Sequence, residues 1–229
     1  MAKPVAYATA KAAMTLKSDT SPVTIEVNKP RGTIYWGGAG LDGSYIHDQV
    51  SALQEAGIKY VYIGKRTYGI GVDAARSGVT VRYRDSPVDE DWTINGMEDN
   101  PSAQFNMIGY SYGSLLAAQT ANFYAHNGHI VDNLVLVGSP IDADFLEYLK
   151  KQKNIREVIV RDLEEYDDPI FAGISEPRLL LASFKLARQM LKTRETGNGV
   201  GHFYYAGVTK ESARRRRELA RFISRHGLE

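Results

Sequence analysis

The run Phe105-Asn106-Met107-Ile108-Gly109-Tyr110-Ser111-Tyr112-Gly113-Ser114-Leu115-Leu116-Ala117 sets a serine between two glycines at G-x-S-x-G spacing. The apolar residues before it suit a buried strand and those after it suit a helix, the context in which this pentapeptide forms a sharp strand-to-helix turn. Backbone segments pass so close in such a turn that side chains at Gly109 and Gly113 would collide. The strained turn lifts the serine hydroxyl above the sheet. The following helix aims its N-terminal amides at the place where a tetrahedral oxyanion would develop. The chemistry these residues point to is nucleophilic acyl transfer by Ser111, which requires a general base and a group to orient it.

Five histidines are available for the base. His126 and His129 lie at the far end of the helix after Ser111, about 20 Å away at the helical rise. His226 is in the tail, and His47 lies early, just beyond a glycine-rich turn. His202, within Gly199-Val200-Gly201-His202-Phe203-Tyr204-Tyr205, follows the last strand-like run and precedes the final helix, and its flanking glycines favour a catalytic over a structural role. Carboxylates follow both late strands. Asp162 closes Glu157 to Asp162, Asp167 and Asp168 precede Pro169, and Asp142 follows Val137-Gly138-Ser139-Pro140. Tyr35-Trp36-Gly37-Gly38-Ala39-Gly40 ends an early strand in a glycine turn, but without the Lys-Ser/Thr pair of a phosphate loop.

Together these residues resemble the α/β-hydrolases, and within them the lipase and esterase branch, including class 3 lipases and bacterial lipase effectors. The likeness spans Thr33 to His202. It implies the order nucleophile, acid, histidine, hence Ser111, Asp162 and His202. Asp162 is preferred because class 3 lipases carry a similar strand ending in Arg-Asp or Asn-Asp before a hydrophobic residue and a proline; Asp167, Asp168 and Asp142 remain alternatives. It also implies an oxyanion hole built from Gly38 in the early glycine loop and the backbone N–H of Tyr112. The activity implied is hydrolysis of a carboxylic ester, such as a lipid, phospholipid or smaller ester, through an acyl-enzyme, with no cofactor and no metal. Thioesterase, acyltransferase and peptidase chemistry use the same machinery. A non-catalytic α/β-hydrolase binding protein is the reading from another class.

The elements that must position these groups alternate between short β-rich runs and helix-length segments, the pattern of a mostly parallel sheet flanked by helices. The expectation is a single α/β-hydrolase domain over 1–229 with a lid or insertion at 66–104, in which Val79 to Tyr83 is a strand. Val23 to Val27 and Thr33 to Trp36 read as an antiparallel pair around Asn28-Lys29-Pro30-Arg31-Gly32. Tyr60 to Ile63, Phe105 to Ile108, Asn133 to Val137 and Glu157 to Val160 read as buried central strands. Helices are expected over Ile46 to Ala56, Ser114 to His126, Ala143 to Gln152 with Asp142 as cap, Arg178 to Thr193, and Lys210 to Arg225.

The 28 Lys and Arg balance 27 Asp and Glu, so nucleic acid is not an expected partner. There is no cysteine, which excludes thiol nucleophiles and thiolate metal sites. Apolar residues in the lid segment (Tyr68, Ile70, Trp92, Ile94) and after the acid (Phe171, Ile174, Leu179 to Leu181) suit an acyl chain. Arg214 to Arg217 offer transient contact with an anionic membrane, although a solvated helix face accounts for them as well. Val5 to Leu16 is interrupted by Thr9, Lys11 and Thr15 and does not read as a signal peptide. The expected location is the cytoplasm by default, or export by a signal-independent route. An immunity partner is expected if the protein is a toxin.

Overall fold

The computed structural model describes residues 24–25, 29–39, 43–64, 91–92 and 94–229. Most of the expected lid at 66–104, with Tyr68, Ile70 and the strand at Val79 to Tyr83, lies outside the described residues. Two short strands, β1 (Thr24–Ile25) and β4 (Asp91–Trp92), pair in parallel with each other. The main sheet contains β2 (Gly32–Trp36), β3 (Val61–Ile63), β5 (Phe105–Tyr110), β6 (Val131–Val137) and β7 (Ile155–Arg161) in the order β3-β2-β5-β6-β7. Every pairing in it is parallel. The helices are α1 (Tyr45–Glu55), α2 (Tyr112–His126), α3 (Ala143–Lys151), α4 (Glu176–Thr196) and α5 (Lys210–Ser224).

Side chains alternate between two cores. Ile34, Trp36, Met107, Leu134 and Leu136 pack with α2 and α3, whereas Tyr35, Ile108, Tyr110, Val135, Val137 and Ile159 pack with α1 and α5. Both faces of the central strands are therefore apolar, which is why they read as continuous runs. Twelve of the 15 residues of α2 are buried, so its N-terminus cannot shift without repacking the core. Gly57 and Gly128 end α1 and α2 at φ 95° and 85°, the left-handed conformation that a helix end favours.

The antiparallel pair at the start of the sheet does not form. Thr24–Ile25 pairs with Asp91–Trp92, and both sides of β2 are occupied, by β3 and β5. The turn formers at 29–31 lie in a loop before β2, but strand partners are chosen by tertiary burial. The runs expected at Tyr60 to Ile63 and Glu157 to Val160 fall on β3 (Val61–Ile63) and β7 (Ile155–Arg161), which lie at the two ends of the five-stranded order and are partly exposed, not central. Among the described residues no helix is long and apolar enough to cross a membrane.

Register brings the carboxyl ends of four strands level. Trp36 pairs with Gly109, Tyr110 with Val137, and Val137 with Arg161. The connections leave β2 and β5 in opposite directions across the sheet, so the crevice above these strands is a topological switch point, where ligands of such sheets bind.

The four arginines of α5 differ in setting. Arg214 pairs with Glu211 and Glu218 on the surface. Arg215 lies over the Tyr204 ring and donates to the Gly199 carbonyl at 2.7 Å. Arg216 is buried; it donates to Asp48 at 2.5 Å and to the carbonyls of Tyr205 and Gly207 at 2.7 and 2.6 Å. It thus clamps the segment just after His202 onto α1 and α5. Arg216→Met should destabilise the fold by about 3 kcal/mol in urea unfolding, because buried carbonyls and Asp48 lose their donors. Arg214→Ala should leave the urea midpoint nearly unchanged.

Candidate active site

Ser111 stands between β5 and α2 with φ 56° and ψ −124°, a conformation that L-residues rarely adopt. Such strain amounts to about 1–3 kcal/mol and persists only where the surroundings enforce it. Here the Ser111 N–H donates to the Val137 carbonyl at 2.9 Å, and the Ser111 carbonyl accepts from the Ser114 N–H at 2.9 Å. Ser114 Oγ also donates to that carbonyl and lies 2.7 Å from Ser139 Oγ at the end of β6. A Cβ on Gly109 would come within 2.3 Å of Ser114 Cα, and one on Gly113 within 2.4 Å of the Trp36 carbonyl oxygen. Both glycines of the motif are thus required by backbone approach.

His202 lies on the single-turn 3₁₀ helix Gly201–Phe203 and is buried. Its Nε2 is 2.6 Å from Ser111 Oγ, and its Nδ1 is 2.8 Å from Asp168 Oδ2. With Nδ1–H donating to the carboxylate, Nε2 is left as the acceptor for the serine proton. The Tyr110 hydroxyl donates to the His202 carbonyl. Burial, reinforced by neighbouring Tyr45 and Asp168, raises the Tyr110 pKa well above its ordinary value, which keeps the phenol a donor.

The carboxylate on His202 is Asp168, not Asp162. Asp162 Oδ1 instead accepts from the Ala172 N–H at 2.8 Å, and burial raises its pKa. Beyond the end of β7 the chain turns through a 3₁₀ helix at Glu164–Tyr166 and a left-handed Asp167 at φ 71°, and the Leu163 carbonyl accepts from the N–H groups of Tyr166 and Asp168. That reversal brings Asp168 back to the imidazole, where its Oδ1 accepts from the Ile170 N–H at 2.8 Å. Asp167 points outward to Lys185 at 2.5 Å. Asp142 caps α3, accepting from the Phe145 N–H at 2.8 Å.

Of the two oxyanion candidates, Tyr112 opens α2 at the positive end of its dipole. Gly38 is adjacent to Ser111: a Cβ there would lie 2.9 Å from Ser111 Cβ. Its N–H, however, donates to the buried Tyr45 hydroxyl at 2.6 Å. Gly38 lies just beyond β2, and its amide is engaged by a side chain that sequence reading did not connect to it, whereas Gly40 of the expected glycine turn lies outside the described residues.

Gln189 of α4 is a further residue that sequence reading missed. Its Oε1 accepts from the His202 N–H at 3.0 Å and its Nε2 donates to the Asp167 carbonyl at 2.8 Å, so one amide ties the loop of Asp168 to the loop of His202. A Cβ on Gly201 would meet Gln189 Nε2 at 2.0 Å. A mid-helix glutamine ordinarily faces solvent, so only the glycine at 201 hinted at a close neighbour. A cavity of about 400 Å³ opens beside Asp168, lined also by Pro169, Phe171, Leu181 and Lys185. Among the described residues no group of three or more His, Asp or Glu could hold a metal ion. The remaining histidines lie elsewhere: His126 is 3.5 Å from the Tyr148 hydroxyl, and His226 Nδ1 is 2.9 Å from the Phe222 carbonyl.

A family model for the alpha/beta hydrolase fold matches residues 38–174, more than half of the chain. The protein belongs to the α/β-hydrolase fold family, a membership that supports a hydrolase-type function. The matched stretch includes Ser111 and Asp168 and ends before His202. No curated protein matches the chain.

The two kinds of glycine constraint can be separated. Gly113→Ala must push backbone apart and should cost more than about 3 kcal/mol in urea unfolding. Gly57→Ala, with open space around it and only its positive φ to violate, should cost about 1 kcal/mol. Equal losses would show that close approach does not shape the Ser111 turn.

Proposed function

We propose that the protein is a serine hydrolase of carboxylic esters, a lipase, phospholipase or esterase working through an acyl-enzyme on Ser111. The observation that carries this reading is the unbroken hydrogen-bonded series Ser111 Oγ, His202, Asp168, at 2.6 and 2.8 Å. A binding protein with an idle site has no need to keep a buried carboxylate, a buried imidazole and a strained serine in line.

The roles follow from the contacts. Ser111 Oγ attacks the ester carbonyl carbon while His202 Nε2 takes the hydroxyl proton. Asp168 holds the imidazole with Nε2 towards the serine and stabilises the imidazolium. The tetrahedral oxyanion is held by the Tyr112 N–H and by the Gly38 N–H, which exchanges the Tyr45 hydroxyl for the substrate oxygen. His202 then returns the proton to the departing alkoxide, leaving an acyl-Ser111 ester. Water, giving its proton to Nε2, attacks that ester; collapse of the second intermediate releases the carboxylic acid, and Ser111 regains its proton.

Hydrolysis of p-nitrophenyl butyrate by the full chain tests the assignment. Ser111→Ala should abolish turnover, and His202→Gln should lower it by at least about 10³-fold. Asp168→Asn should lower kcat by up to about 10⁴-fold, whereas Asp162→Asn should retain near-normal kcat. The reverse pattern would return the acid to Asp162.

Gln189→Met keeps the side-chain volume and removes both hydrogen bonds. It should reduce kcat by about 10- to 100-fold with little change in KM, since it disturbs alignment and not ester binding. A change confined to melting temperature would make Gln189 merely structural.

A further inference from the structure

The four most exposed large apolar side chains among the described residues lie on α4 and beside its C-terminal cap. Leu181 (74% exposed), Phe184 (59%) and Leu191 (55%) are on α4, and Val208 (65%) bonds through its N–H to the carbonyl of Gly197, which caps that helix. Leu180, Phe184 and Leu191 are four and seven residues apart and share one helix face. The opposite face carries Ala182, Gln189 and Thr193, the only residues of this 21-residue helix that are buried. Apolar exposure of this kind, concentrated on one element, marks a contact surface.

Charge indicates what the surface meets. α4 holds Arg178, Lys185, Arg188, Lys192 and Arg194 against Glu176 and Glu195, five positive charges less two negative, or +3. The cations border the leucines. Lys185 is paired with Asp167 and Arg178 lies over the Phe171 ring, so the exposed Arg188 and Lys192 are the cations that matter here. The arginine run of α5 is largely committed within the protein, where Arg216 is buried, Arg215 packs on Tyr204, and Arg214 is paired with two glutamates. A second copy of this chain docked about a two-fold axis would set the same cations against each other.

We propose that α4 docks on an anionic phospholipid surface, with Leu180, Leu181 and Leu191 entering the interface and Arg188 and Lys192 meeting the headgroups. Basic amphipathic helices with a leucine-rich face lie in membrane interfaces in this way. The inference deepens the ester-hydrolase reading, on which it rests, by naming the physical form in which the substrate is met. Leu181 also lines the cavity beside Asp168.

The test is co-sedimentation of the Ser111→Ala protein with phosphatidylcholine vesicles made with and without phosphatidylglycerol. Binding should require phosphatidylglycerol and weaken as salt is raised. Arg188→Glu with Lys192→Glu should reduce partitioning by about 20-fold or more, at roughly five-fold per cation removed. Leu180→Ser with Leu191→Ser should also reduce it, while Arg214→Glu should not. Equal binding to both vesicle types, or loss through Arg214→Glu alone, would overturn the proposal. So would self-association in solution that Leu180→Ser with Leu191→Ser abolishes. With Ser111 present, the α4 variants should hydrolyse dissolved p-nitrophenyl butyrate like the wild type. A wild-type protein that binds anionic vesicles but never cleaves that ester refutes the enzymatic reading and leaves the docking intact.

Discussion

The turn at Ser111 governs the arrangement around it. A residue held at φ 56° and ψ −124° must be enclosed by structure that cannot yield. The enclosure comes from three directions: Val137 and Ser139 at the end of β6, the Trp36 and Gly37 carbonyls at the end of β2, and the almost wholly buried helix α2. Each depends on parallel strands whose carboxyl ends are level. A one-residue slip between β5 and β6 would exchange core faces and remove the Val137 carbonyl from the Ser111 amide.

His202 and Asp168 are positioned by a different means, through loops tied by side chains. Asp168 follows a left-handed residue and accepts the Ile170 N–H. His202 follows Gly201 at φ 55°, and Gln189 connects the two segments. Arg216 anchors the chain just downstream, at Tyr205 and Gly207. The strained Ser111 on the rigid sheet thus faces His202 and Asp168 on braced loops, and α4 and α5 supply the braces. The helix that holds Gln189 inward presents its leucines outward.

The sheet was legible in the sequence wherever both faces are buried. Met107 and Ile108, and Leu134 to Val137, are apolar at successive positions because two cores claim alternate residues, while the buried Asn106 and Asn133 satisfy each other by a side-chain hydrogen bond. Ser111 was legible because G-x-S-x-G has a steric cause, and the collisions a Cβ would meet at Gly109 and Gly113 bear that out. The partner of β2 was not legible: turn formers at 28–32 are a local signal, and pairing is settled by long-range burial. Asp168 ranked behind Asp162 for a similar reason. The end of β7 can be read from Val158, Ile159 and Val160, but the 3₁₀ turn and the left-handed Asp167 that carry the chain back leave little trace in residue type. Gln189 and Tyr45 look like ordinary helix residues until tertiary structure shows the amides they bind.

The central claim is that Ser111, activated by His202, is the group that attacks. Reaction of the folded protein with a fluorophosphonate, followed by peptide mass mapping, tests it most directly. One phosphonylated site is expected, on Ser111, formed quickly in the wild type and lost in His202→Ala protein that still melts cooperatively. An adduct on Ser114 or Ser139, or labelling of Ser111 that proceeds at the same rate without His202, would contradict it.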